Sequence, residues 1–157
     1  MKTNIGISKD NRAKVAEHLG KILADEYVLY TKTQRAHWNL EGIDFHTKHV
    51  FFEDHYNQIK EFIDNVAERI RKIGHYSPAT LKQFLELTHL TEEHSGDNSS
   101  ASYIKTLLED HDVIIIELRK MIPVIEDDLN DVGTADFLTG LIQEHEEMAW
   151  MLRAHLN

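Results

Sequence analysis

Residues 45–73 read FHTKHVFFEDHYNQIKEFIDNVAERIRKI. Phe45, His49, Phe52, Tyr56, Ile59, Ile63, Val66, Ile70 and Ile73 follow one another in alternating steps of four and three. Steps of that kind keep side chains on one side of an α-helix, so the stretch predicts a long helix packed along its length against neighbours. Gly74 closes it, and Tyr76-Ser-Pro78 separates it from the next segment.

The flanking sequence extends the same pattern. From Asp10 to His37, Val15, Leu19, Ile22, Leu23, Leu29 and Tyr30 predict a first helix, with Ser8 or Asp10 as its N-cap and a break at Asn39-Leu-Glu-Gly42. Pro78–Leu87 predicts a short helix, and the polar run HLTEEHSGDNSSAS at 89–102 a loop. A third long helix is expected over Ser100–Ile122, ending at Lys120 and Pro123. After the acidic connection at 126–131, Thr134 is expected to cap the fourth, with Asp136 in its first turn. The reading is all-α: an up-down four-helix bundle with a short helix between helices two and three. One domain spans residues 1–157, with a short N-terminal tail at 1–9.

Composition narrows the function. The absence of cysteine among 157 residues excludes disulfides, thiolate metal sites and thiol nucleophiles. A formal charge of −10 repels phosphate backbones unless the cations are concentrated somewhere. The first ten residues, MKTNIGISKD, lack the apolar run of a signal peptide, and no stretch reaches the length of a membrane span. A soluble, cytoplasmic protein is expected. Eleven histidines in so short a chain direct attention to metal ligands.

On the second helix, His49, Glu53, Asp64 and Glu68 fall within an arc of roughly 100° beside the apolar seam. His37 ends the first helix next to Trp38. Carboxylates bordering a buried face need a cation or a proton. The fifteen residues from His49 to Asp64 span about 22 Å of helix, however, whereas bonds from these donors to a metal measure about 2 Å. One chain therefore cannot bring the two pairs onto one ion. Two such helices crossing antiparallel near residues 58–59 do so twice, about a two-fold axis. Histidine with several carboxylates suits iron or another borderline divalent ion. The plainer alternative is a solvated flank on which Arg69 and Arg71 pair with the acids.

The runs RAHWNLEGIDFHTKHVFFEDHY, IDNVAERIRKIG and TADFLTGLIQEHEEMAWMLRAHL resemble the Dps family of mini-ferritins over nearly the whole chain. That resemblance implies a ferritin-like four-helix subunit and a homo-dodecameric shell. It also implies oxidation of Fe2+, preferentially by hydrogen peroxide, with storage of the ferric mineral and protection against oxidative stress. Carried over position by position, it implies iron ligands at His37, His49 and Glu53, with Asp64 and Glu68 from the two-fold partner. Glu53 stands where relatives commonly have aspartate, and Asp54 is the neighbouring alternative. Trp38 matches a tryptophan that intercepts oxidising equivalents; its plainer role is core packing. Asp131 and Asp136 match the acids of an iron-entry pore on the three-fold axes, which Asp127 or Asp128 would widen. Their plainer roles are turn solvation and helix-dipole complementation.

Rival functions are a nucleoid-binding protector, an intra-bundle di-iron oxidase and a purely structural bundle. The short tail offers Lys2, Lys9, Arg12 and Lys14 offset by Asp10, and twelve subunits at −10 carry about −120, so DNA binding is expected to be weak or absent. An intra-bundle di-iron site calls for paired Glu-x-x-His motifs, and the sequence offers only Glu86-x-x-His89. No role is assigned to His46, His55, His94, His111, His145 or His155.

Overall fold

The computed structural model describes residues 3–156, so Lys2 of the basic tail lies outside the described residues. Four long helices, α1 (Lys9–Asn39), α2 (Phe45–Lys72), α4 (Ser100–Pro123) and α5 (Val132–Ala154), form a bundle, and α3 (Leu81–Leu87) is the short helix between α2 and α4. α1 runs against α2 and α4 against α5, with α3 laid on α1. Most of the α2 seam lands inside: Phe52, Ile59, Val66 and Ile70 have no exposed surface, while His49, Tyr56 and Ile63 are half-buried and Phe45, at its start, is exposed.

Local chemistry sets the boundaries. Ser8 caps α1 by accepting a hydrogen bond from the Asn11 amide at 3.1 Å. At the far end of α2, Gly74 takes φ +90°, a left-handed conformation costly for other residues. The buried Arg12 guanidinium binds the Ile73 carbonyl there at 3.1 Å and so ties the end of α2 to α1. α3 is anchored in the same manner. The fully buried Asp25 carboxylate accepts from Thr88 Oγ1 at 2.7 Å, from the His89 amide at 2.6 Å and from His89 Nδ1 at 2.8 Å, while Tyr27 stacks on Phe84 at 4.4 Å.

The connection into the last helix differs from expectation. Val124–Asp128 is a π-helical turn continuing from α4, not an open acidic loop. The wider turn keeps both Ile125 and Leu129 in the core. The cap of α5 is Asp131 rather than Thr134: its Oδ1 accepts from the Thr134 amide at 2.9 Å, and the Thr134 hydroxyl returns a hydrogen bond to Oδ2 at 2.6 Å. Arg69 of α2 completes the knot, 3.2 Å from Asp131 Oδ1 and 2.9 Å from Thr134 Oγ1. Because the helix begins at Val132, Asp136 lies beyond its first turn, which removes the dipole argument for it.

Several polar groups are buried in the bundle. Lys32 and Asp110 form an ion pair at 2.6 Å with both side chains nearly inaccessible. Burial denies hydration to the charged imidazole of His55, and with repulsion from His155 this pushes its pKa down to about 4. His111 is held well below the usual histidine range by burial and by its histidine neighbours.

Two outcomes test these contacts. Between pH 6.5 and 4 the unfolded chain protonates His55 while the folded chain does not, so stability falls as pH drops through that window, by roughly 3 kcal/mol for this residue. Denaturant titrations above and within the window are expected to show a smaller acid loss in His55→Leu than in the wild type; equal losses contradict the assignment. Asp131→Ala removes a helix cap and leaves Arg69 without its carboxylate, so thermal unfolding is expected to report a loss of about 2 kcal/mol, and an unchanged melting temperature contradicts the capping role.

Candidate metal centre

His37 at the end of α1 and His49 at the start of α2 are brought face to face by the turn between the two helices. Gly42 makes that turn possible with φ +137°, and the Leu40 amide closes α1 on the Ala36 carbonyl at 3.1 Å. The two imidazoles stack at 3.7 Å between ring centres. Each uses Nδ1 on the other residue's backbone: His37 Nδ1 lies 2.7 Å from the His49 carbonyl, and His49 Nδ1 lies 2.8 Å from the His37 carbonyl. A carbonyl only accepts, so both Nδ1 atoms carry hydrogen and both Nε2 atoms present lone pairs in the neutral rings. This is the arrangement by which outer hydrogen bonds orient metal-binding histidines.

Aromatic rings surround the pair. Tyr56 stands edge-on to His37 at 5.3 Å and Phe45 stacks on His49 at 5.1 Å. The Tyr56 hydroxyl donates to Glu53 Oε1 at a long 3.5 Å, and the Tyr56 pKa is raised by burial and by that carboxylate. Glu53 is half-buried and sits roughly 40° around the helix from His49, whereas Asp54 is exposed and roughly 140° away. Glu53 thus shares the imidazole flank of α2, and Asp54 lies on a different side of the helix.

Asp64 and Glu68 lie three to five turns further along α2, exposed, about 22 Å from His49 at Asp64. Asp64 lines a depression with Tyr27, Tyr30, Lys60 and Ala67. Glu68 pairs with the exposed Lys72 one turn on, at 3.2 Å. The arginines that offered a plainer explanation are engaged elsewhere: Arg69 with Asp131 and Thr134, and Arg71 with the His75 carbonyl and the face of Tyr76. Among the described residues, no three His, Asp or Glu side chains converge where one metal ion would be held. On α2 the histidine pair and the Asp64/Glu68 pair thus stand apart, at opposite ends of the helix.

Around the histidine half-site the surface is unusually apolar. Trp38 is 65% exposed, Ile43 fully exposed and Phe45 44% exposed. Trp38 is accordingly not a core residue, which excludes its plainer reading. At the other end of the bundle, Asp131 is 2% exposed and satisfied as a cap, while Asp127, Asp128 and Asp136 are exposed.

Sequence reasoning missed a group inside the bundle. Glu26, His55, His111 and His145, one from each long helix, are all buried. Each falls in an apolar stripe, such as Leu138, Leu141, Ile142, His145, Met148 and Leu152 on α5, and a histidine in such a stripe was the available signal.

Comparison with known proteins agrees with the fold. The ferritin-like domain family matches residues 16–157. A low temperature-induced protein of Nostoc is 43% identical over 154 residues, covering 98% of this chain and 86% of that protein. The DNA protection during starvation protein 2 of Bacillus anthracis is 37% identical over 144 residues, covering 92% of this chain and 97% of that protein. Among solved structures, Dps from Bacillus brevis superposes with a TM-score of 0.88 at 33% identity, covering each chain fully. Dps from Vibrio cholerae, described as a member of a broad superfamily of ferritin-like diiron-carboxylate proteins, gives 0.91 at 28% identity and covers 100% of this chain and 98% of that one. Among the described residues no helix is long and apolar enough to cross a membrane. Helix order, the short helix after α2 and these identities together make the chain a member of the ferritin-like Dps family.

Proposed function

We propose that the protein is an iron-storing ferroxidase whose catalytic centres form between two-fold-related subunits of a dodecamer. The observation that carries this reading is the reciprocal locking of His37 and His49, which leaves two Nε2 atoms without a hydrogen-bond partner among the described residues, at the edge of an exposed apolar patch. A second subunit laid antiparallel on α2 covers Trp38, Ile43 and Phe45 and delivers its own Asp64 and Glu68 to these nitrogens. Burying that patch supplies association energy.

In this centre His37, His49 and Glu53 hold Fe2+ from one side, and the partner's carboxylates close it from the other. Oxygen donors stabilise the ferric product over the ferrous substrate, which eases loss of an electron. Two ferrous ions each surrender one electron to one hydrogen peroxide molecule, whose O–O bond breaks to give two oxygens at the level of water. Taking both electrons together avoids release of hydroxyl radical. Trp38, one residue from His37, is placed to quench an oxidising equivalent that escapes. Iron entry falls to Asp136 with Asp127 and Asp128, whose exposed carboxylates attract cations where three copies converge. Asp131 shapes that entrance from behind as the α5 cap.

The DNA-protecting role named in relatives is secondary in this reading, because a chain at −10 repels phosphate backbones.

Two measurements check the proposal. Asp64→Ala/Glu68→Ala is expected to slow peroxide-driven Fe2+ oxidation on the order of 10- to 100-fold while native mass stays at the shell, and wild-type rates in that variant remove the intersubunit centre. In gel-shift titrations at physiological salt without added divalent ions, duplex DNA is expected to remain unbound; a tight, discrete complex contradicts the subordinate place given to DNA.

A further inference from the structure

Glu26 from α1, His55 from α2, His111 from α4 and His145 from α5 enter the middle of the bundle with at most 4% exposure. His145 Nε2 lies 2.7 Å from Glu26 Oε1, and His111 Nδ1 lies 2.9 Å from His145 Nδ1. One tautomer pair satisfies both bonds with neutral rings: His145 donates from Nε2 to the carboxylate and accepts at Nδ1 from His111. Two polar atoms are then left over in an apolar interior. Glu26 Oε2 and His55 Nε2 have no hydrogen-bond partner among the described residues. Native interiors rarely tolerate such orphans without a missing partner. The buried Lys32 does not serve Glu26, since its ammonium lies 2.6 Å from Asp110.

We infer that His55, His111 and His145 form a binding site, inside a single subunit, for one divalent cation of the zinc or ferrous class, with Glu26 as the carboxylate that orients His145. Three imidazoles, one backed by a carboxylate, are a donor set such ions take, with the fourth position left to water. Two imidazoles on one tetrahedral ion stand with ring centres roughly 5 Å and nitrogens roughly 3.3 Å apart. The His111 and His145 rings are already 5.1 Å apart. Their facing nitrogens, at 2.9 Å, are closer because a proton joins them. The ion takes the place of that proton, which moves to His111 Nε2 so that both Nδ1 lone pairs face the metal. His55, edge-on to His111 at 6.5 Å, closes by roughly 1 Å to bring a third ligand nitrogen to the ion. In the hydrogen-bonded arrangement His111 and His145 are joined by a proton and His55 stands apart, so among the described residues no three donors converge before this adjustment. The ligand set differs from the carboxylate-rich Glu-x-x-His pattern of di-iron bundles, and it takes one ion rather than two.

The site shares no ligand with the intersubunit centre and requires no second chain, so it is tested where that centre is disabled. His49→Ala/Asp64→Ala/Glu68→Ala leaves a single imidazole between subunits. After chelator treatment, this variant titrated with Co2+ is expected to develop the intense visible bands of a four-coordinate ion and to saturate at one ion per chain. X-ray absorption of the Zn2+-loaded variant is expected to show three imidazoles around the metal. His55→Phe breaks no hydrogen bond in the structure and is expected to fold, yet to weaken Co2+ binding on the order of 10- to 100-fold when added to the same background. No saturable Co2+ binding by the folded triple variant, a zinc shell with fewer than three imidazoles, or unchanged affinity in the His55→Phe protein overturns the inference.

Discussion

An α-helix is a ruler, and the ruler in α2 separates His49 from Asp64 by about 22 Å. Side chains of these types extend only a few ångströms from their backbones, so no rotamer change joins the two ends. Every other feature of the proposed centre follows from this spacing. In the proposed centre one end of α2 supplies imidazole nitrogens and the other supplies carboxylates, and a two-fold-related copy turns a separation within one chain into a meeting between two. The interlocked His37 and His49 make the nitrogen end rigid before any partner arrives, because each imidazole is held by the other's main chain. Rigidity there matters more than proximity of the acids, since ligands fixed beforehand lose little entropy when an ion binds.

The remaining polar interior serves to set the helices. Lys32 with Asp110 joins α1 to α4, Asp25 holds the end of α3, and Arg69 with Asp131 and Thr134 joins α2 to the start of α5. Buried pairs of this kind add little net stability over apolar packing, but losing one partner strands the other. They specify register in a bundle whose apolar stripes would tolerate sliding. The acids around the start of α5 thereby divide: Asp131 is bound into this framework, while Asp136 and the exposed Asp127 and Asp128 stay available to solvent.

Much of this was legible in the chain. The seam of α2 and the break at Gly74 follow from period and from glycine chemistry, and both hold to within a residue or two. The separation of His49 from Asp64 follows from helix rise alone. The features that local pattern did not reveal depend on contacts distant in sequence. Asp131 outcompetes Thr134 as a cap because Arg69, sixty-two positions earlier, neutralises it. The π-helical turn at Val124–Asp128 departs from the period on which helix reading relies. His55, His111 and His145 carry no shared spacing, since each comes from a different helix, and only the packed bundle brings them together.

The most direct test of the shared centre is complementation between two inactive shells. His49→Ala subunits lack a nitrogen ligand, and Asp64→Ala/Glu68→Ala subunits lack the carboxylates; each homogeneous protein is expected to oxidise ferrous iron slowly with peroxide. When the two are unfolded together and reassembled, a mixed pair places intact histidines opposite intact acids at one of its two centres, and oxidation is expected to recover well above either parent. A mixture that stays as slow as its parents, at the same native mass, contradicts a centre built from two chains.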